Sequence, residues 1–156
     1  MSNKYKLLST DTKINWDGKT LYRIQALINI GSVLAGTLGG YIEKKSNLSV
    51  SGNAWVSGNA LVSGNALVSG NAQVSGNALV SGNALVSEKK HCYVFHCESY
   101  SMTVTPQNIS IGCQLKTHKE WLKVTKKQAI TMGLQANLYE TYKGLAKIGM
   151  KAVKLK

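Results

Sequence analysis

The chain has 156 residues, 44% of them hydrophobic and 17% charged, with 19 Lys and Arg against 7 Asp and Glu, for a formal charge of +12. That length fits one domain, or one repeat body with an appendage, and the hydrophobic share and single Pro exclude a wholly disordered chain. Three cysteines, Cys92, Cys97 and Cys113, are too few and too unevenly spaced for a disulfide-built secreted scaffold.

Residues 1–23 carry five bases and two acids and read as an N-terminal cap segment; they open without the apolar core of a secretory signal. Residues 24–42 contain no charge and have the length of a membrane span. Gln25, Asn29, Ser32, Thr37 and four glycines dilute that stretch, so a buried cap on the following repeat is expected and no membrane association.

Residues 50–85 are six consecutive hexapeptides of the form Val-Ser-Gly-Asn-Ala-x, where x is Trp, Leu, Leu, Gln, Leu and Leu. A period of six headed by an aliphatic residue is the signature of a parallel β-helix. Within one hexapeptide, alternation along a short strand sends Ala and Val to one face and Leu and Ser to the other. Gly-Asn supplies the corner, since both tolerate left-handed backbone angles. Three corners close a triangular coil of 18 residues, and the fixed phase of Val and Leu argues against a flexible linker. Residues 38–42 continue the same phase, with Leu38 and Ile42 at the first and fifth positions. At that spacing Trp55 lies over Gln73, Leu61 over Leu79 and Leu67 over Leu85, all pointing outward. Outward leucines are unfavourable in water by about 25 cal/mol per Å². Leu61, Leu79, Leu67 and Leu85 are therefore candidate oligomer contacts, and a homotrimer suits a triangular prism best; a C-terminal segment folded back over one face would serve as well.

The repeat ends at Glu88-Lys-Lys90, and residues 88–156 read as a basic α+β module. Residues 92–97 and 100–112 alternate like strands, with Thr105-Pro-Gln-Asn108 as a hairpin turn. Thr117 with Glu120, and Thr125 with Gln128, form capping boxes that open two short helices, and Gly133 is a C-cap. A last helix is expected over residues 136–150, with Leu138, Tyr142, Leu145 and Ile148 on one face.

Residues 114–156 hold ten Lys against two Glu, a charge of +8, whereas residues 50–113 sum to zero. Lys143, Lys147, Lys151 and Lys154 line up beside the apolar face of the last helix, and Lys123, Lys126 and Lys127 form a second cluster. These are the candidate anion- or partner-binding residues. Arg23 is the single Arg, which argues against bidentate base reading, so any nucleic-acid contact would be to the backbone and salt-sensitive. His91-Cys92, His96-Cys97, Cys113 and His118 have zinc-ligand chemistry, but strand alternation puts neighbouring His and Cys on opposite faces. No metal site is expected.

Three stretches carry a family resemblance: Leu21-Tyr-Arg-Ile-Gln-Ala-Leu27 with Gly36-Thr-Leu-Gly-Gly-Tyr-Ile-Glu43, the Gly-Asn-Ala repeats, and Ile111-Gly-Cys-Gln114 with Glu120-Trp121. The chain resembles the hexapeptide-repeat proteins of the left-handed parallel β-helix superfamily, and within them small phage- and prophage-associated proteins. The resemblance implies a mainly β fold: a left-handed β-helix over residues 24–87 with a small C-terminal β-hairpin plus helices module. Many members of the superfamily are trimeric acyltransferases that use a histidine as general base. Here residues 50–87 contain no His and no acid. No catalytic residues and no cofactor are therefore expected. The expectation is a non-catalytic phage or prophage accessory protein in the cytoplasm of a bacterial host, a rigid oligomeric scaffold. It would inhibit a host defence or nucleic-acid-handling complex by binding that complex, or an anionic nucleotide or nucleic acid. A self-assembling structural protein is the alternative, and an acyltransferase-like enzyme the further one.

Overall fold

The computed structural model describes residues 3–154, so the extreme ends of the 1–23 and 88–156 segments lie outside the described residues. The structure is mainly β. Strands β1 (Tyr5–Ile14) and β2 (Thr20–Ala26) form an antiparallel hairpin, and β2 pairs antiparallel with β3 (Leu38–Ile42). Each hexapeptide then contributes a two-residue strand: β4 (Trp55–Val56), β5 (Leu61–Val62), β6 (Leu67–Val68), β7 (Gln73–Val74), β8 (Leu79–Val80) and β9 (Leu85–Val86). These pair in parallel as β3-β5-β8, β4-β7 and β6-β9, with Trp55 opposite Gln73, Leu61 opposite Leu79 and Leu67 opposite Leu85. The pairing interval is the one the sequence period predicts.

The alternation follows from packing. Six valines (Val56, Val62, Val68, Val74, Val80, Val86) and the alanines two residues before each are all buried, in one column with Ile24, Ile42 and Leu48. Fully burying a Val-sized side chain contributes roughly 1.5–3 kcal/mol, while Ala leaves room for Val in the narrow interior. At the corners only glycine takes the left-handed conformation: Gly58 and Gly64 have φ of 63° and 66°, and among the described residues no non-glycine has positive φ. The asparagines that follow keep ordinary angles and stack instead, Asn53 on Asn71 and Asn65 on Asn83, each pair at 3.4 Å.

The phase changes before the first regular hexapeptide. Ile42 pairs with Val62 and Leu48 bridges to Val68, so these two, six residues apart, hold the first position. Two extra residues are accommodated at the corner formed by residues 49–51, which leaves Val50 exposed and turns Leu38 out to solvent. The expected placement of Leu38 and Ile42 is thereby shifted. The stretch 24–42 also differs from a fully buried cap, since Leu27, Ile28 and Leu34 are exposed, Leu34 by 66%. Trp55 is likewise not outward in the sense expected: it is 2% exposed and joins the cluster of Tyr5, Ala26 and Ile30. The loop carrying Gly31 reaches the neighbouring corner, for a Cβ at Gly31 would lie 3.7 Å from Asn53.

The C-terminal module is an antiparallel meander of β10 (Tyr93–Phe95), β11 (Met102–Val104), β12 (Asn108–Ile111) and β13 (Gln114–Thr117), followed by α1 (His118–Lys123), α2 (Lys126–Thr131) and α3 (Tyr139–Ala152). Both capping boxes are present, from Thr117 to Glu120 and from Thr125 to Gln128. Helix α3 lies on the sheet through Tyr142, Ala146 and Gly149, not through Ile148, which is 60% exposed. The reason is closeness: a Cβ on Gly149 would lie 2.7 Å from Val104 Cγ2 and 3.1 Å from Phe95.

Hydrogen-bond polarity explains how both ends of the repeat are covered. Trp55 N donates to Ala72 O (3.0 Å), Leu61 N to Ala78 O (2.9 Å) and Leu67 N to Ala84 O (2.9 Å). The amides of Trp55, Leu61 and Leu67 thus point toward the C-terminal end, and the carbonyls of Ala72, Ala78 and Ala84 toward the N-terminal end. At the N-terminal end donors meet free carbonyls: Lys4 Nζ reaches Ser49 O, Gly52 O and Ala54 O at 3.3, 3.1 and 2.8 Å. The Tyr5 hydroxyl lies 2.9 and 2.8 Å from the carbonyls of Lys45 and Leu48, and Asn47 Nδ2 donates to Ala66 O at 2.8 Å. At the C-terminal end acceptors meet free amides, Leu79 N donating to Thr103 Oγ1 and Leu85 N to Gln107 Oε1, each at 2.9 Å, and a donor, Asn108 Nδ2, meets the carbonyl of Ser81.

Candidate functional site

The C-terminal module carries most of the candidate residues. Its first two helices begin where the capping boxes satisfy the first free amides; the Thr117 backbone and hydroxyl donate to Glu120 Oε2 at 2.7 and 2.8 Å and hold that carboxyl below the usual range. Helix α3 packs its small and aromatic side on the sheet, and its other side carries Lys147 and Lys151 in solvent, with Lys154 exposed just beyond its last turn. Lys143 stands at the border of the two sides, half-buried. Its ammonium donates to the Tyr139 hydroxyl at 3.0 Å, and that hydroxyl donates to Val124 O at 2.8 Å. The hydrogen bond to Tyr139 raises the Lys143 pKa above the ordinary lysine value, with the nearby Glu140 carboxylate adding to it. Lys123 ends α1, and Lys126 and Lys127 open α2, all three exposed. Every ion pair among the described residues uses Asp11, Asp17, Glu43 or Glu88, so none neutralises a lysine of the basic stretch from residue 114 onward.

An apolar cavity of about 80 Å³ lies between the three helices and the turn that joins β12 to β13. Trp121, Leu134, Tyr139, Tyr142, Ala146 and Met150 line it, with Lys143 in the wall. Reading the sequence missed this cavity, because its lining comes from five separate elements and only α3 has a periodic apolar face. A second depression, about 290 Å³ and more open, is bordered by Pro106, His118, Met150, Val153 and Lys154.

The candidate leucines sit where the register places them. Leu61 and Leu79 share one outward ladder and Leu67 and Leu85 another; the first three are half-buried and Leu85 is 53% exposed. The C-terminal module does not fold back along these ladders but seats on the end of the stack, where Asn108 Nδ2 donates to Ser81 O at 3.2 Å.

The histidines and cysteines are spread apart. His91 is buried with Nδ1 3.2 Å from Ser87 Oγ, His96 approaches Ser101 at 3.4 Å, and His118 Nε2 donates to Thr105 O at 2.7 Å. Among the described residues no three His, Cys, Asp or Glu side chains gather as a metal site would need. Burial pushes the Cys92 thiol up to about 12, which makes it a poor nucleophile. Among the described residues no helix is long and apolar enough to cross a membrane.

Residues 72–88 match a family described as YdcK Beta solenoid repeat. The match falls on the last hexapeptides and fits their short parallel strands. No curated protein matches the chain.

Proposed function

We propose that the chain is a non-catalytic accessory protein of phage or prophage type, built as a left-handed β-helix that presents the C-terminal module and inhibits a host defence or nucleic-acid-handling complex by binding it. The observation that carries this reading is the unneutralised lysine surface of that module. Lys143, Lys147, Lys151 and Lys154 follow one side of α3, and no carboxylate among the described residues pairs with them. Lys126 and Lys127 occupy the first turn of α2, where the helix dipole disfavours cations and no acid compensates. Their placement costs stability, so attraction of an anionic partner is the better account of it.

The stacked leucines are proposed as the contacts of a homotrimer, with Leu61 and Leu79 of one subunit against Leu67 and Leu85 of the next. End-to-end assembly of the self-assembling alternative fits less well, because side chains of the flanking segments already bond the free backbone groups at both ends of the stack.

Exchange of Lys147, Lys151 and Lys154 for Glu tests the lysine surface. Binding of poly-glutamate or a short oligonucleotide to the full chain should weaken by roughly a hundredfold or more at low salt, beyond about 2.7 kcal/mol, with the oligomer intact. Retained affinity would remove the row from the site.

A further inference from the structure

The apolar cavity of the C-terminal module has the size and setting of an anchor pocket. Whole small-molecule ligands occupy about 300–1,000 Å³, and a cavity of about 150 Å³ takes up a benzene ring. The 80 Å³ here is too small for a nucleobase or another aromatic ring, and suits the end of one aliphatic side chain. Its lining is mostly apolar, from Trp121, Leu134, Ala146 and Met150 with Tyr139 and Tyr142, and only Gln114 and Lys143 add charged or amide side chains, so it suits an apolar group better than water. The tyrosine hydroxyls are already engaged, Tyr139 with Val124 O and Tyr142 with Tyr100 O at 2.7 Å.

The rim has the opposite character. Leu122, itself exposed, borders the cavity, and the Lys143 ammonium is held beside it by the Tyr139 hydroxyl. Lys147 and Lys151 follow along the same helix. A hole for one aliphatic group next to a row of unpaired cations is complementary to an apolar residue flanked by carboxylates.

We propose that this cavity receives a Leu-, Ile- or Met-type side chain from an Asp/Glu-rich segment of a partner protein, whose carboxylates meet Lys143 and the lysine row. The proposal rests on the reading of the lysine surface as the binding face, and it selects an acidic protein over a nucleic acid as the partner. Phosphates and sugars offer nothing apolar to fill the cavity, and the bases are too large for it.

The test measures binding of short Asp/Glu-rich peptides, whose central position runs through all the amino acids, to the full chain, beside an oligonucleotide of equal charge. Peptides centred on Leu, Ile or Met should bind roughly tenfold or more tighter than the one centred on Gly, the effect of burying about 1.5 kcal/mol or more of side chain. Ala146→Leu, which fills the cavity, should abolish that preference. Leu122→Glu should do the same from the exposed rim, without disturbing the interior. Peptides that bind alike whatever their centre, and lose binding when the lysines are reversed, would overturn the pocket and leave the lysine surface standing. Tight binding of the oligonucleotide alone would also overturn it, and no binding of any probe would overturn both.

Discussion

A lysine ammonium taken out of water is unfavourable unless its protons find acceptors. Lys4 is buried and donates to three carbonyls, Ser49 O, Gly52 O and Ala54 O, that no further strand could satisfy at that end of the stack. Burial lowers its pKa. Lys4→Met keeps the stem and removes the donors, so it should lower stability by about 1–3 kcal/mol, read from denaturant unfolding; an unchanged midpoint would mean that water replaces the ammonium without loss. Two neighbours of the column make stability sensitive to alkali. Burial pushes both the Tyr5 hydroxyl and the Cys92 thiol up to about 12, from 10.0 and 9.0. Between those values the unfolded chain binds fewer protons than the folded one, so stability falls as pH rises. The contribution of Cys92 is whole below about pH 9 and gone above about pH 12. Lys4 acts in the opposite sense, which makes the comparison with a single variant the informative one. Cys92→Ala should delay the onset of alkaline destabilisation from about pH 9 to about pH 10, where Tyr5 begins to contribute.

At the scale of the elements, α3 depends on a close approach that only glycine permits. Gly149→Ala would place a Cβ 2.7 Å from Val104 Cγ2. Overpacking of this kind costs about 1–3 kcal/mol, and it should loosen α3 and weaken peptide binding together, as hydrogen exchange along α3 would show. The same glycine explains a difference between sequence and structure. A search for large apolar residues picks out Leu138, Tyr142, Leu145 and Ile148, whereas the buried side is set by Ala146 and Gly149, where small residues bring the helix onto β11. The hexapeptides were legible because one period fixes face, corner and register at once, and every predicted pair from Trp55–Gln73 to Leu67–Leu85 is found. The phase of Leu38 and Ile42 was not, since Val50 carries the repeat's leading residue in sequence yet lies exposed at the corner, which hides the two extra residues at 49–51. Strand β13 was missed for a similar reason: its residues are mostly half-buried, and Gly112, at φ 55°, makes a tight turn before it. The lysine row was readable as a pattern, but the cavity beside it depends on how α1, α2 and α3 meet, which no local pattern encodes.

For the whole molecule, the structure joins a nearly neutral repeat stack, covered at both ends, to a module that holds most of the positive charge. Each tier of the stack hydrogen-bonds to the next through backbone groups, and its outward leucines are the surface through which the proposed trimer would form. Replacing Leu67 and Leu85 by Asp should release monomers that keep the same far-ultraviolet spectrum, since neither side chain belongs to the buried column. In the proposed trimer the charged module would stay free on each subunit to engage the proposed acidic partner. The most direct measurement is the mass of the full chain by light scattering at rising protein concentration, with and without a short poly-glutamate chain. The account predicts a closed assembly of three chains that gains mass with poly-glutamate and releases it as salt is raised. A mass that climbs without limit, or one that poly-glutamate leaves unchanged at low salt, would contradict it.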